Sequence, residues 1–119
     1  MQLHELRASL LGDTSNRHPA MVDLGDGRSV EVRDPLYEDV EVLNSRYKDR
    51  PIAGILYIVV MCTYSNGARV FGLADMDALA KAPVGGWVGK LIADVSARVK
   101  GLNDAGNVPS ASPTNSSST

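Results

Sequence analysis

Cysteine as a nucleophile, histidine as its general base, and both as zinc ligands are residue types that can carry chemistry, and this sequence has three of them. They are the two histidines, His4 and His18, and the single cysteine, Cys62. A cysteine nucleophile needs a basic partner and a polar, accessible setting, because the reactive form is the thiolate. Cys62 instead ends an apolar run, and both histidines lie in the N-terminal region. We therefore interpret Cys62 as a small core residue. A small enzyme that uses Cys62 is an alternative, which a Cys62→Ser variant with unchanged activity would remove.

The glycine-rich and acidic segments do not form a recognisable site either. The segment Gly85–Gly89 lacks the lysine and hydroxyl of a phosphate-binding loop, and is interpreted as a loose helix start that permits close packing. Asp75 and Asp77 suit helix capping. Asp23 and Asp26 are turn carboxylates, far short of the six or more oxygens that calcium binds. No Cys/His cluster has zinc-ligand spacing. The sequence predicts no enzyme, metal site or cofactor, and leaves the partner-binding residues unknown.

Length and charge restrict the class of protein further. The chain has 119 residues, with 12 basic and 14 acidic side chains and a formal net charge of −2. The basic residues are spread along the chain, so we expect no nucleic-acid partner. One cysteine excludes an internal disulfide and fits a reducing cytoplasm. The first eleven residues lack the apolar run of a signal peptide. The longest apolar run, Ile52–Cys62, is about half of the ~20 residues that span a membrane, so no membrane partner is expected.

Two β-hairpins are predicted from turn residues flanked by apolar residues. Residues 20–24 and 28–32 alternate around Gly25-Asp26-Gly27. A second turn at Asn66-Gly67 joins a strand near Met61–Tyr64 to a strand over Ala68–Phe71, since both turn residues tolerate positive φ. In the first hairpin the apolar face comprises Val30 and Val32, with Leu24 and either Met21 or Val22 from the facing strand.

A helix is predicted to begin at Asp34-Pro35, with Asp34 as the cap and Pro35 in the first turn. Its apolar residues recur at four, three and four positions: Leu36, Val40, Leu43 and Tyr47. Its charged residues follow the helix dipole, acidic first and basic last: Glu38, Asp39 and Glu41, then Arg46, Lys48 and Arg50. We interpret them as a solvated outer face.

Periodicity does not distinguish a buried helix from a buried strand over Ile52–Cys62, because the run is apolar on all sides. The β-branched residues favour a strand, whereas the length and Pro51 favour a helix. We predict a helix from Ile52 to about Val60.

The last predicted helix carries the most pronounced apolar stripe. A short helix around Asp75–Lys81 and then Pro83 precede it. Gly85 and Gly86 weaken its start, so we expect order nearer Trp87 and an end at Gly101 or after Asn103. The residues of the stripe lie three and four apart: Val84, Trp87, Val88, Leu91, Ile92, Val95, Val99 and Leu102.

The two ends of the chain differ in character. Residues 2–11 predict a short helix stopped by Gly12, which either packs on the domain edge, the favoured interpretation, or docks on a partner. Residues 104–119 are rich in Ser, Pro and Asn and predict a disordered tail. The predicted fold is therefore a small single α+β domain over residues 1–103, with two short β-hairpins packed against three to four helices.

The order of these elements resembles that of the tail assembly chaperones of long-tailed bacteriophages. The resemblance covers roughly Val22–Asn103 and is a pattern of element order and sparse positions. The positions that carry it, in chain order, are Leu24–Gly27 and Val30–Arg33 of the first hairpin, Asp34-Pro35, Asn66-Gly67, Val70-Phe71, Asp75, Leu79, Pro83 and the helix ending Gly101-Leu102-Asn103.

The resemblance implies a protein that assists tail assembly without enzymatic activity. Such chaperones are small α+β domains of the host cytoplasm that keep the tape-measure protein soluble, help recruit tail-tube subunits and are absent from the mature virion. A homo-oligomer is left open. The alternative is a structural tail-completion or neck subunit that stays in the virion.

Overall fold

The computed structural model describes residues 2–107, which form a small α+β domain. Within this range the chain has five α-helices, one 3₁₀ turn and four strands. In chain order they are α1 (Leu3–Asp13), β1 (Ala20–Gly25), β2 (Arg28–Val32), α2 (Tyr37–Ser45), α3 (Pro51–Cys62), β3 (Thr63–Ser65), β4 (Ala68–Arg69), the 3₁₀ turn (Leu73–Asp75), α4 (Met76–Ala80) and α5 (Trp87–Asn107).

The two predicted hairpins are confirmed, and they join into one antiparallel sheet of order β1-β2-β3-β4. Both turns use positive φ: Asp26 and Gly27 at 55° and 74°, Asn66 and Gly67 at 52° and 83°. Such turns match the twist of the flanking strands. Pairing of Val32 with Thr63 connects the hairpins. The second hairpin is shorter than predicted, since β4 ends at Arg69.

The first hairpin also shows which residues of β1 face the core. Val30 and Val32 are buried, as predicted, and Val22 pairs with Val30. Val22 and Leu24 pack against the core, whereas Met21 points outward. A two-residue side-chain period makes only one of these two registers compatible with a buried face.

The apolar run forms helix α3, which is buried from Leu56 to Cys62. Pro51 occupies its first turn, where a missing N–H costs no hydrogen bond. The helix prediction is confirmed, and the helix continues two residues beyond Val60. It packs against α2, α4 and α5, so a helix that is apolar on all sides has partners around it.

The apolar stripe of α5 packs against α3. Val88, Leu91, Val95 and Val99 are buried, and the helix begins at Trp87 as expected. Val84 lies before the helix and is exposed, so its predicted place on the buried stripe is wrong. The helix continues to Asn107, past the predicted end at residue 103 and into the predicted tail; the rest of that tail, 108–119, lies outside the described residues.

The start of α2 differs from the prediction because Asp34 is engaged elsewhere. The helix begins at Tyr37, and the Leu36 N–H donates to Asp39 Oδ2 over 2.9 Å. Asp39 is therefore buried as a local cap, and its predicted place on a solvated outer face is wrong. Asp34 accepts hydrogen bonds from distant side chains instead of capping this helix.

Helix α1 forms as predicted but does not pack on the domain edge. None of its side chains is buried, and its four leucines are all exposed. Gly12 does not stop the helix, which ends at Asp13. The favoured interpretation, a helix packed against its own domain, is therefore wrong.

Candidate functional site

Cys62 is a core residue, as predicted. Its side chain is fully buried at the end of α3, and burial raises the pKa of the thiol to about 12; the positive charges of Arg17 and Arg98 only partly oppose this effect. At neutral pH the group is therefore a thiol, not the nucleophilic thiolate. No hydrogen bond links Cys62 to His4 or His18 in the part of the chain that the structure describes.

The two histidines occupy different settings at the surface. His4 lies on the exposed helix α1. His18 Nδ1 is 2.7 Å from Asp34 Oδ2, and its side chain is 73% exposed. Arg98 also contacts this aspartate, its Nη1 donating to Asp34 Oδ1 over 2.9 Å, and its guanidinium remains charged at every pH of interest. The His18–Asp34 contact includes no nucleophile. It holds the loop before β1 against the loop after β2.

The glycine-rich segment is a packing device, as interpreted from the sequence. A Cβ built on Gly89 would lie 2.6 Å from the Val84 carbonyl oxygen, closer than real side chains approach. The Gly86 N–H donates to the Pro83 carbonyl over 3.1 Å, which closes the turn before α5. Gly89 thus lets the loop lie directly on the first turn of α5.

The aspartates serve local structure. Asp75 Oδ2 accepts the Gly72 N–H over 2.8 Å, and Asp23 Oδ1 accepts the Gly25 N–H over 2.8 Å. Asp26 lies 3.7 Å from Arg28 in the first turn. Among residues 2–107, no group of three or more His, Cys, Asp or Glu side chains is placed to hold a metal ion.

A charged cluster around Asp34 was not predicted from the sequence. Arg98 Nη1 donates to Asp34 Oδ1 and to the His18 carbonyl, both over 2.9 Å, and Arg98 Nε donates to Asp94 over 2.8 Å. Arg17 Nε donates to the Asp34 carbonyl over 2.9 Å. The cluster joins α5, the loop before β1 and the loop after β2.

Tyr64 forms the centre of a second polar cluster on the outer face of the sheet. The Arg33 guanidinium lies 3.9 Å from the ring centroid, and Arg17 Nη1 donates to the phenol oxygen over 2.9 Å. Burial raises the pKa of Tyr64, but hydrogen bonds from Arg69 and Arg17 outweigh it, so the pKa lies below its usual value. Arg33 also pairs with Glu31. The ring is almost fully covered, which makes these contacts structural.

An open apolar groove lies between α3, α4 and α5. Its volume is about 370 Å³. None of the described residues that line this groove carries a polar side chain. We call it the α3/α4/α5 groove, and its principal residues are Ile52, Leu56, Leu79, Val84, Val88 and Ile92. A second depression of about 350 Å³ shares Ile52 and Leu56 and adds the charged residues Arg50 and Asp77 at its border.

Two apolar side chains at the mouth of this groove are unusually exposed to solvent. Val84 is 96% exposed and Ile52 is 66% exposed, while Leu56, Leu79 and Val88 form a buried floor. An apolar floor with exposed apolar walls is typical of a site that receives an apolar segment of a partner. The sequence did not indicate it, because the groove is formed where three separate helices, α3, α4 and α5, pack together.

Comparisons with known proteins leave the family open: no family model, no curated protein and no solved structure matches this chain. The described helices include none that is both long and apolar enough to cross a membrane.

Proposed function

We propose that this chain is a non-enzymatic tail assembly chaperone of a long-tailed bacteriophage. In this role it binds the tape-measure protein in the host cytoplasm, keeps it soluble, helps recruit tail-tube subunits and is absent from the mature virion. The observation that carries the proposal is the α3/α4/α5 groove, an open apolar surface of the domain. The resemblance in element order over Val22–Asn103 supplies the identity of the partner.

The groove suits an amphipathic helix as its client. A helix presents apolar side chains at intervals of three and four residues, and such a row fits a groove between packed helices. Each fully buried aliphatic side chain contributes roughly 1.5–3 kcal/mol, while association costs several kcal/mol in lost freedom. A few such side chains per copy give reversible binding. Several copies can therefore cover a long tape measure and leave it as tube subunits polymerise.

Co-expression with the phage's tape-measure protein tests the proposal. We expect the tape measure to become soluble and to co-purify with this chain. In the Ile52→Asp variant we expect the tape measure to stay insoluble and not to co-purify. A bound apolar segment would bury the unpaired carboxylate at the mouth of the groove, which costs free energy. The new aspartate falls in the first turn of α3, where the helix dipole tolerates a negative charge.

Met21→Asp is the matched control for this experiment. Met21 is 67% exposed, against 66% for Ile52, but it lies on the edge strand β1 and not in the groove. We expect Met21→Asp to behave like the wild type. The proposal would be contradicted if the tape measure stayed insoluble and unbound when co-expressed with a well-folded wild-type chain.

Detection of the chain in purified virions would favour the alternative, a structural tail-completion or neck subunit. Mass spectrometry of purified particles makes this measurement. The chaperone proposal expects the chain to be absent from the particles and present in the lysate of infected cells.

A further inference from the structure

The outer face of the sheet carries Tyr64, and three arginines from separate parts of the chain meet there. Arg17 belongs to the loop before β1, Arg33 follows β2, and Arg69 lies on β4. Arg17 donates to the phenol oxygen, Arg33 lies over the ring, and Arg69 pairs with the same residue across the two strands. We call these four residues the Tyr64 arginine cluster. The fold creates it, since its members are scattered in the sequence.

The Tyr64 arginine cluster has a surplus of positive charge. Glu31 pairs with Arg33 and is the carboxylate that the described structure places in contact with it. Three guanidinium groups against one carboxylate leave a local charge of +2. Two further carboxylates are engaged elsewhere, that of Asp34 with α5 and the loop before β1, and that of Asp23 with the Gly25 N–H at the end of β1. A chain with a formal net charge of −2 thus concentrates positive charge on this face.

The guanidinium groups of the cluster have hydrogen-bond donors to spare and are open to a partner. The Arg33 side chain is 27% exposed, and Arg69 is exposed. Arg33 Nε donates to Glu31, whereas its two terminal nitrogens have no acceptor among residues 2–107. A polar depression of about 320 Å³ opens beside Arg33, between β2 and the loop before β1. A bound group with several acceptor oxygens would satisfy the free donors.

Carboxylates are the acceptors that fit this surface. A guanidinium is planar and donates to a carboxylate through two parallel hydrogen bonds, which charge on both partners strengthens. A local charge of +2 is matched by two such carboxylates. A nucleic acid fits less well, because its continuous row of phosphates would also meet Glu31 and Asp23 on the same face and a chain of negative net charge.

We propose that the Tyr64 arginine cluster binds an acidic segment of a protein partner through the carboxylates of that segment. None of the four cluster residues lines the α3/α4/α5 groove, so this is a second binding surface beside the proposed client site. The experiment that tests it uses no tape-measure protein. Its failure would therefore leave the chaperone proposal standing.

Fluorescence anisotropy of the full chain with a labelled oligoglutamate peptide tests this surface. We expect the wild type to bind in low-salt buffer with a Kd of about 1 mM or lower, and binding to weaken as salt screens the charges. Arg33→Gln and Arg69→Gln should each weaken binding by about threefold or more, because each removes one guanidinium. Arg28→Gln is the matched control, since Arg28 is 58% exposed at the opposite end of β2 from Arg33, and should bind like the wild type.

The variant Glu31→Gln separates a binding role from a structural one. It removes the carboxylate that competes for Arg33, so it should bind the peptide about threefold more tightly, whereas a purely structural cluster would only lose stability. Circular dichroism verifies that each variant is folded. A wild type that does not bind, an unchanged affinity in Arg69→Gln, or weaker binding by Glu31→Gln would overturn the proposal. Tighter binding of an oligothymidylate of equal charge would overturn it in favour of a phosphate ligand, and a wild-type dimer that Arg69→Gln dissociates would overturn it in favour of a second copy.

Discussion

The guanidinium of Arg98 donates to the carboxylate of Asp34 over 2.9 Å, and this contact joins residues 64 positions apart in the chain. It fastens helix α5 to the loop between β2 and α2. Asp34 Oδ2 meanwhile contacts His18, so one carboxylate also holds the loop that carries α1. The position of α1 relative to the domain therefore depends on this cluster.

Arg98→Ala should destabilise the domain by about 1–3 kcal/mol, because it removes a charge-assisted hydrogen bond and leaves the partly buried Asp34 and Asp94 without it. Arg98 is only 15% exposed, which reduces screening by water. Arg28→Ala is the matched control, since Arg28 lies 3.7 Å from an exposed Asp26 and should contribute less than about 0.5 kcal/mol. Urea unfolding measures both. Equal effects of the two changes would contradict this role of Arg98.

Turn chemistry and hydrophobic periodicity were sufficient to predict most of the elements. Asn66-Gly67 and Asp26-Gly27 do form turns with positive φ, and Trp87 does begin α5, because these features depend on neighbouring residues only. Asp34 was misread as a helix cap, since a local rule cannot show that Arg98 competes for its carboxylate. The exposure of α1 was also unpredictable, because apolar spacing indicates that a face will be covered but does not identify the surface that covers it.

The α3/α4/α5 groove was not predicted from the sequence. Ile52 and Val84 belong to segments that read separately as the start of a buried helix and the start of an apolar stripe. They border one groove only because α3 and α5 pack against each other. Cys62, by contrast, was correctly placed in the core, because it ends a run that is apolar on all sides.

Gly54→Ala should destabilise the protein by about 1–3 kcal/mol through overpacking between α2 and α3. A Cβ at Gly54 would overlap Leu43 Cδ1 and lie 3.0 Å from Tyr47 Cβ. Gly101→Ala is the matched control, because that position on α5 has nothing within 4 Å, and alanine there should be neutral or stabilise by up to about 1 kcal/mol. Thermal unfolding of both variants measures the difference. A stable Gly54→Ala protein would show that α2 and α3 are less closely packed.

Leu91→Asp should abolish folding. Leu91 is fully buried in the contact of α5 with α3, and an unpaired carboxylate there costs more than about 4 kcal/mol. Ala97→Asp, on the exposed side of the same helix, should change stability by about 0.5 kcal/mol or less. Far-ultraviolet circular dichroism and urea titration compare the two. A cooperative unfolding transition of wild-type size in Leu91→Asp would contradict the assignment of the α5 core face.

Stability should fall in mild alkali because of Cys62. Burial raises the pKa of the folded thiol to about 12, so the unfolded chain, with an ordinary thiol, loses its proton first as the pH rises. The stabilisation is complete below the pKa of the unfolded thiol and is lost progressively from about pH 9 towards 12. Between pH 8 and 10 the wild type should lose about 1–2 kcal/mol more stability than Cys62→Ala, which has no thiol to ionise. Tyr57, whose pKa is also raised by burial, is present in both proteins and cancels in the comparison. Urea unfolding with reductant across this range makes the measurement, and parallel pH profiles for the two proteins would show that the thiol is not buried in solution.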